Sequence, residues 1–139
     1  MIVGFTGTRK GMTDSQKLAL RIFFSDHDVE EGHHGDCIGS DEEFHEICQE
    51  YGVGVVLHPP DDDRLRAFCE GALRVEPPRP FLVRNRIITD VCGILLAAPK
   101  ETDEPMPARG QGTWSTVRYA RRSGATFRIV WPEGALWAR

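Results

Sequence analysis

Four short stretches hold residue types and spacings that suit the chemistry of an anion. Thr6-Gly7-Thr8-Arg9-Lys10-Gly11 follows an apolar run at Ile2–Phe5 and precedes an amphipathic stretch. Strand, polar glycine loop, then helix aims backbone N–H groups and a helix N-terminus at one point, where Arg9 and Lys10 add charge and Thr6 and Thr8 add hydroxyl donors. His34-Gly35-Asp36-Cys37-Ile38-Gly39-Ser40-Asp41 repeats the arrangement, with Ser40 or Asp41 placed to cap a helix. Arg84 and Arg86 fall near the start of a short helix, where cations oppose the macrodipole, so they are expected to have an anionic partner. Gly110-Gln111-Gly112-Thr113 is a third glycine turn opening a helix, and Trp114 after it is the aromatic expected to touch a base or a partner subunit.

Other reactive residues are weighed beside these. His33, His34, Asp41 and His45 form a loose histidine–carboxylate group in which Asp41 and His45 share a helix face at i,i+4. Zinc sites show tighter ligand patterns, so pocket lining or helix capping explains these residues better, and no metal is expected. Cys37 sits beside a helix start, where a thiolate is favoured, but it has no evident base. Tyr119 and Trp131 are assigned to the core, and Trp137 to an oligomer contact or a disordered tail.

The bulk numbers limit the setting. The 139 residues fit one domain spanning 1–139, and 40% hydrophobic with 27% charged residues describes a globular chain. No apolar run approaches the ~20 residues of a membrane helix, and the N-terminus has no signal-peptide pattern, so a cytoplasmic protein with no membrane partner is expected. Four scattered cysteines without a CxxC pair read as free thiols. A net charge of −4 argues against broad binding to a nucleic-acid backbone.

The elements that must position these loops alternate β and α. Thr13 and Gln16 form a capping box opening a helix whose buried face is expected to be Leu18, Leu20, Ile22, Phe23 and Phe24, with Lys17 and Arg21 an exposed i,i+4 pair. A weak strand at 29–34, a helix to about Tyr51, a strand at 53–58, a helix over 61–71, a helix over 82–90, a fully buried strand at 93–98, the helix after Gly112 and a closing strand at 126–131 follow. The implied fold is α/β, a Rossmann-like open, mostly parallel sheet of about five strands with helices on both faces, binding ligands beyond the carboxyl ends of its strands.

Gly7-Thr8-Arg9, His34-Gly35-Asp36-x-x-Gly39-x-Asp41, Arg84-Asn85-Arg86 and Gly110-x-Gly112-Thr113 occur in an order that resembles the SLOG superfamily. That superfamily includes the DNA-processing A and Lonely Guy families, and the chain is most similar to small stand-alone bacterial and phage members over roughly residues 1–132. The resemblance implies a pocket for a nucleotide or nucleotide-derived small molecule, in a homo-oligomer, dimer or tetramer, with no further cofactor. By it, Gly7, Thr8 and Arg9 would lie under the ligand; Gly35, Asp36, Gly39 and Asp41 would form the second loop. Arg84 and Asn85 would sit near the pocket, while Gly110, Gly112 and Thr113 cradle a phosphate.

The catalytic glutamate of the Lonely Guy motif Pro-Gly-Gly-x-Gly-Thr-x-x-Glu is replaced here by Thr116, which cannot act as a carboxylate base. The leading expectation is therefore binding of a nucleotide through glycine-loop amides and arginines. The alternatives are a nucleotide hydrolase acting on an N-glycosidic or phosphoester bond, with Asp36 or Asp41 as substitute carboxylates, and, least favoured, a single-stranded DNA binder.

Overall fold

A computed structural model describes residues 1–106 and 112–134. Gly110 and Trp137 lie outside these residues. The elements in chain order are β1 (Ile2–Gly7), α1 (Asp14–Asp26), β2 (Glu31–His34), α2 (Ser40–Glu50), β3 (Gly54–Leu57), β4 (Arg74–Val75), α3 (Phe81–Val91), β5 (Ile94–Ala98), α4 (Gly112–Ser123) and β6 (Phe127–Ile129). Every pairing is parallel and the strand order is β4-β3-β2-β1-β5-β6.

The central strands lack polar alternation because both faces are covered. Along β5, Ile94, Leu96 and Ala98 join the cluster built on α1 and α2. Leu95 meets Ile88 of α3 and Ala120 of α4, and Ala97 meets Trp114 and Val117 of α4. β1 follows the same period: Val3 and Phe5 pack toward α1 and α2, whereas a Cβ on Gly4 would stand 2.9 Å from Cys92 Sγ behind α3.

The capping box of α1 forms as expected. Gln16 N–H donates to Thr13 Oγ1 at 3.0 Å, and Thr13 N–H donates to Gln16 Oε1 at 3.0 Å. Gln16 also donates to the Pro99 and Val130 carbonyls, tying the helix start to the ends of β5 and β6. The buried stripe of α1 differs from expectation. It is Gln16, Ala19, Leu20, Phe23 and Phe24, the i, i+3, i+4, i+7, i+8 set, while Leu18 and Ile22 fall two positions off that stripe and are about half exposed. Lys17 and Arg21 reach across to Glu43 and Glu50 of α2, at 2.8 and 2.9 Å.

The helix expected over 61–71 is a single 3-10 turn at Asp63–Leu65. Two tertiary contacts override its helical pattern: Ile38 N–H donates to the Leu65 carbonyl, and Ala67 N–H donates to the Asp36 carbonyl. The segment therefore lies antiparallel to residues 36–38, Phe68 takes a left-handed φ of 55°, and the chain goes on to β4, a sixth strand not expected from the sequence. No helix among the described residues is long and apolar enough to cross a membrane.

Candidate functional site

Connections leave β1 toward β2 and leave β5 toward β6, in opposite directions, so the gap between β1 and β5 is the switch point of the sheet. At the carboxyl ends of these strands one cleft gathers Gly7 and Arg9, Gly35 and Asp41, Arg84 and Asn85 near the start of α3, and Gly112 and Thr113 at the start of α4. Four segments far apart in sequence, two loops and two helix starts, thus share one hollow. Thr8, Asp36, Gly39 and Trp114 do not line it.

The glycines are required by the packing of these loops on each other. A Cβ on Gly7 would stand 2.6 Å from Ser40 Cβ, and one on Gly35 would run into the Arg84 guanidinium. Gly39 has φ +102° and faces the Arg9 carbonyl so closely that no side chain fits. Ser40 then pins the first loop, its N–H and hydroxyl both donating to the Thr8 carbonyl. The motif spacing reflects loop-on-loop contact before any ligand enters.

Arg84 is 3% exposed and its hydrogen-bond partners are all neutral, so the anion expected for it is met only through space, by the charge of Asp41. Nη1 donates to the Gly35 and His58 carbonyls, Nε to Asn85 Oδ1 at 2.7 Å, and Nη2 to Cys37 Sγ at 3.2 Å. Its guanidinium lies 4.4 Å from the Phe81 ring centre, with Arg9 5.0 Å from the same ring. Arg84 clasps the second loop to α3. Arg86 instead lies 5.2 Å from the Tyr119 ring centre.

Because Arg84 Nε can only donate, the Asn85 oxygen must face it, and Nδ2 is left over. That amide nitrogen is buried and has no hydrogen-bond partner among the described residues, although Asn85 lines the cleft. Arg9 is exposed and makes no ion pair among the described residues. The cleft therefore presents one unused donor and one unpaired cation.

The carboxylates of the second loop are engaged. Asp36, with no exposed surface, accepts from Arg66 Nε at 2.8 Å and from Cys69 N–H at 2.9 Å, holding down the segment beyond β3. Asp41 Oδ2 accepts from Cys37 N–H at 3.1 Å, and burial pushes its carboxyl up to about 6 against the lowering pull of Arg84. Burial raises the Cys37 thiol as well, so the thiolate expected there is disfavoured.

His34, His45 and Cys69 come within 4.8 Å of one another. Asp36 N–H donates to His34 Nδ1 at 3.0 Å, which puts the ring proton on Nε2. That proton goes to His45 Nδ1 at 2.9 Å, and His45 Nε2–H donates to the Glu70 carbonyl at 2.7 Å. A metal on His34 Nε2 would need a lone pair that this chain of bonds fills with a proton, so the cluster is a hydrogen-bond chain and not a ligand set. His33 points to other partners, Glu31 at 2.6 Å and His58 at 2.8 Å.

Trp114 lies away from the place expected for it. It is 2% exposed, 5.8 Å from the ring of Trp131, and donates Nε1–H to Glu101 at 3.1 Å, so it cannot reach a base or a partner subunit. The first turn of α4 simply turns this residue onto the sheet. Thr116 bonds back to the Gly112 carbonyl at 2.9 Å.

No protein-family model matches this chain. No curated protein matches it either. The chemistry of the site thus rests on its own residues. Phe81, which the sequence reading missed, holds both Arg9 and Arg84 against its ring; an aromatic after Pro80 and ahead of two arginines was its signal.

A larger hollow of about 280 Å³ lies over β2 and β3 beside α3, against about 20 Å³ for the cleft. Chemistry outweighs volume here. In the larger hollow Glu31 and His58 both bond His33 and Arg74 pairs with Glu76, leaving the exposed Arg79 without an ion pair among the described residues, whereas the cleft adds to its unpaired cation a buried donor with nothing to bind.

Proposed function

We propose that this chain binds a nucleotide or nucleotide-derived ligand by its phosphate at the switch-point cleft. The carrying observation is the Asn85 amide: a buried N–H donor without an acceptor costs about 1–3 kcal/mol, which an incoming oxygen would relieve. Arg9 supplies charge beside it, and the N-terminus of α4 supplies first-turn amides that no helical carbonyl can reach. The order of motifs resembling the SLOG superfamily supports the same reading.

The test is a melting-temperature panel of nucleoside monophosphates with native mass spectrometry, which also reads the assembly state. A bound nucleotide raises the midpoint by mass action. Asn85→Asp keeps the acceptor for Arg84 but replaces the unused donor with a carboxylate, so it abolishes the shift while the free protein still melts cooperatively. An unchanged shift in that variant overturns the reading.

One observation favours a second reading, nucleotide hydrolysis. Asp41 lines the cleft with a carboxyl near 6, in the range a general acid uses. Product formation from the same panel, lost in Asp41→Asn, is its test.

A further inference from the structure

A second, smaller hollow lies between α3 and α4, and Asn85 lines both it and the cleft. The second hollow is bounded by Arg86 from α3 and by Ser115, Tyr119 and Arg122 from α4. Arg86 lies over the Tyr119 ring, and Arg122 is exposed in the last turn of α4. Neither arginine has a carboxylate partner among the described residues, and the Ser115 hydroxyl likewise has none. On the same helix, Arg118 and Arg121 both meet Glu104, at 3.5 and 2.8 Å. Asp90, four residues after Arg86 on α3, accepts from the Tyr119 hydroxyl at 2.7 Å.

An acidic protein thus keeps Arg9 at the cleft and Arg86 and Arg122 at the second hollow without ion pairs among the described residues, and Asn85, which lines both hollows, carries an unused amide. We infer that the ligand carries two phosphoryl groups, as a nucleoside diphosphate does: the first at the cleft, the second between Arg86 and Arg122 with the Ser115 hydroxyl as donor. This rests on the reading of the cleft given above and adds the class of ligand to it. A planar guanidinium suits a phosphoryl group because it offers two parallel donors, and this hollow is lined by two of them and by one hydroxyl.

Isothermal titration calorimetry with the four common nucleoside 5′-monophosphates, their diphosphates and inorganic pyrophosphate tests the inference. The diphosphate of the preferred base should bind at least about tenfold more tightly than its monophosphate. The double variant Arg86→Ala/Arg122→Ala should remove that preference and leave monophosphate binding within about twofold; Arg86→Lys should restore part of it by charge alone. Both arginines are exposed, so the variants keep the fold, which a melting curve confirms. Equal affinity for mono- and diphosphate, or equal weakening of both in the double variant, overturns the second seat while leaving the cleft reading intact. Failure of every nucleotide to bind overturns both. A single-stranded oligonucleotide that outcompetes the diphosphate also overturns the inference, in favour of a continuous nucleic-acid track.

Discussion

Arg84 donates to the carbonyl of Gly35 from within the space that a side chain on Gly35 would fill. The second glycine loop and α3 are therefore one packed unit, and the missing Cβ is the condition for the clasp. Gly35→Ala is expected to displace the guanidinium and destabilise the fold by about 2 kcal/mol or more, read as a lower urea midpoint. A midpoint within error of wild type would show that the clasp is dispensable.

Arg84→Lys should fare little better than Arg84→Ala. An ammonium cannot serve two carbonyls, an amide oxygen and a thiol with Arg84's planar geometry. Leaving buried acceptors unmet puts the loss at about 2–4 kcal/mol, measured by chemical denaturation.

Asp36→Asn keeps an oxygen for Cys69 N–H but leaves Arg66 without its charge partner. The segment 61–71 has little regular structure of its own, so its attachment should loosen first. Limited proteolysis near the exposed, left-handed Phe68 should speed up severalfold while the rest of the domain stays resistant.

Acid should destabilise the fold below pH 6.5. Burial holds His34 well below the usual histidine range and His58 down at about 4, with His33, Arg84 and Arg74 adding to the latter and Glu76 opposing. Both rings stay neutral when folded and take up protons when unfolded, so the unfolded state gains as pH falls through 6.5 toward 4; for His58 alone that is about 3 kcal/mol. Asp41 acts in the opposite sense, since its folded carboxyl near 6 takes a proton before the unfolded one does. It offsets roughly one histidine, leaving the other to set the sign. Asp41→Asn should therefore leave stability at pH 7.5 unchanged or higher and steepen the loss between pH 6 and 4, as followed by thermal melts.

Legibility in the sequence tracked how local each cause was. The capping box at Thr13 and Gln16 and the buried run of β5 depend on neighbours in the chain, and both were readable. The segment after Pro60 reads as helix because its pattern is helical, and contacts with Asp36 and Ile38, some thirty residues earlier, make it something else. The partners of Arg84 were hidden for a different reason. Carbonyls have no residue type, so a sequence can announce a cation and still say nothing of the peptide oxygens it will meet. Trp114 looked functional because it follows a glycine turn, yet the start of α4 orients it toward Trp131. The convergence of Gly7, Arg9, Asn85 and Thr113 on one cleft follows from parallel strand order, which motif order already suggested.

β1, one of the two central strands of the sheet, is also the first of its strands along the chain. β1 lies between β2 and β5, and its second neighbour pairs residue 3 with residue 94. A growing polypeptide must keep that apolar ribbon with one margin bare until β5, some ninety residues further along the chain, has been made. During that interval β1 is the segment most apt to recruit a chaperone or to stick to another copy of itself.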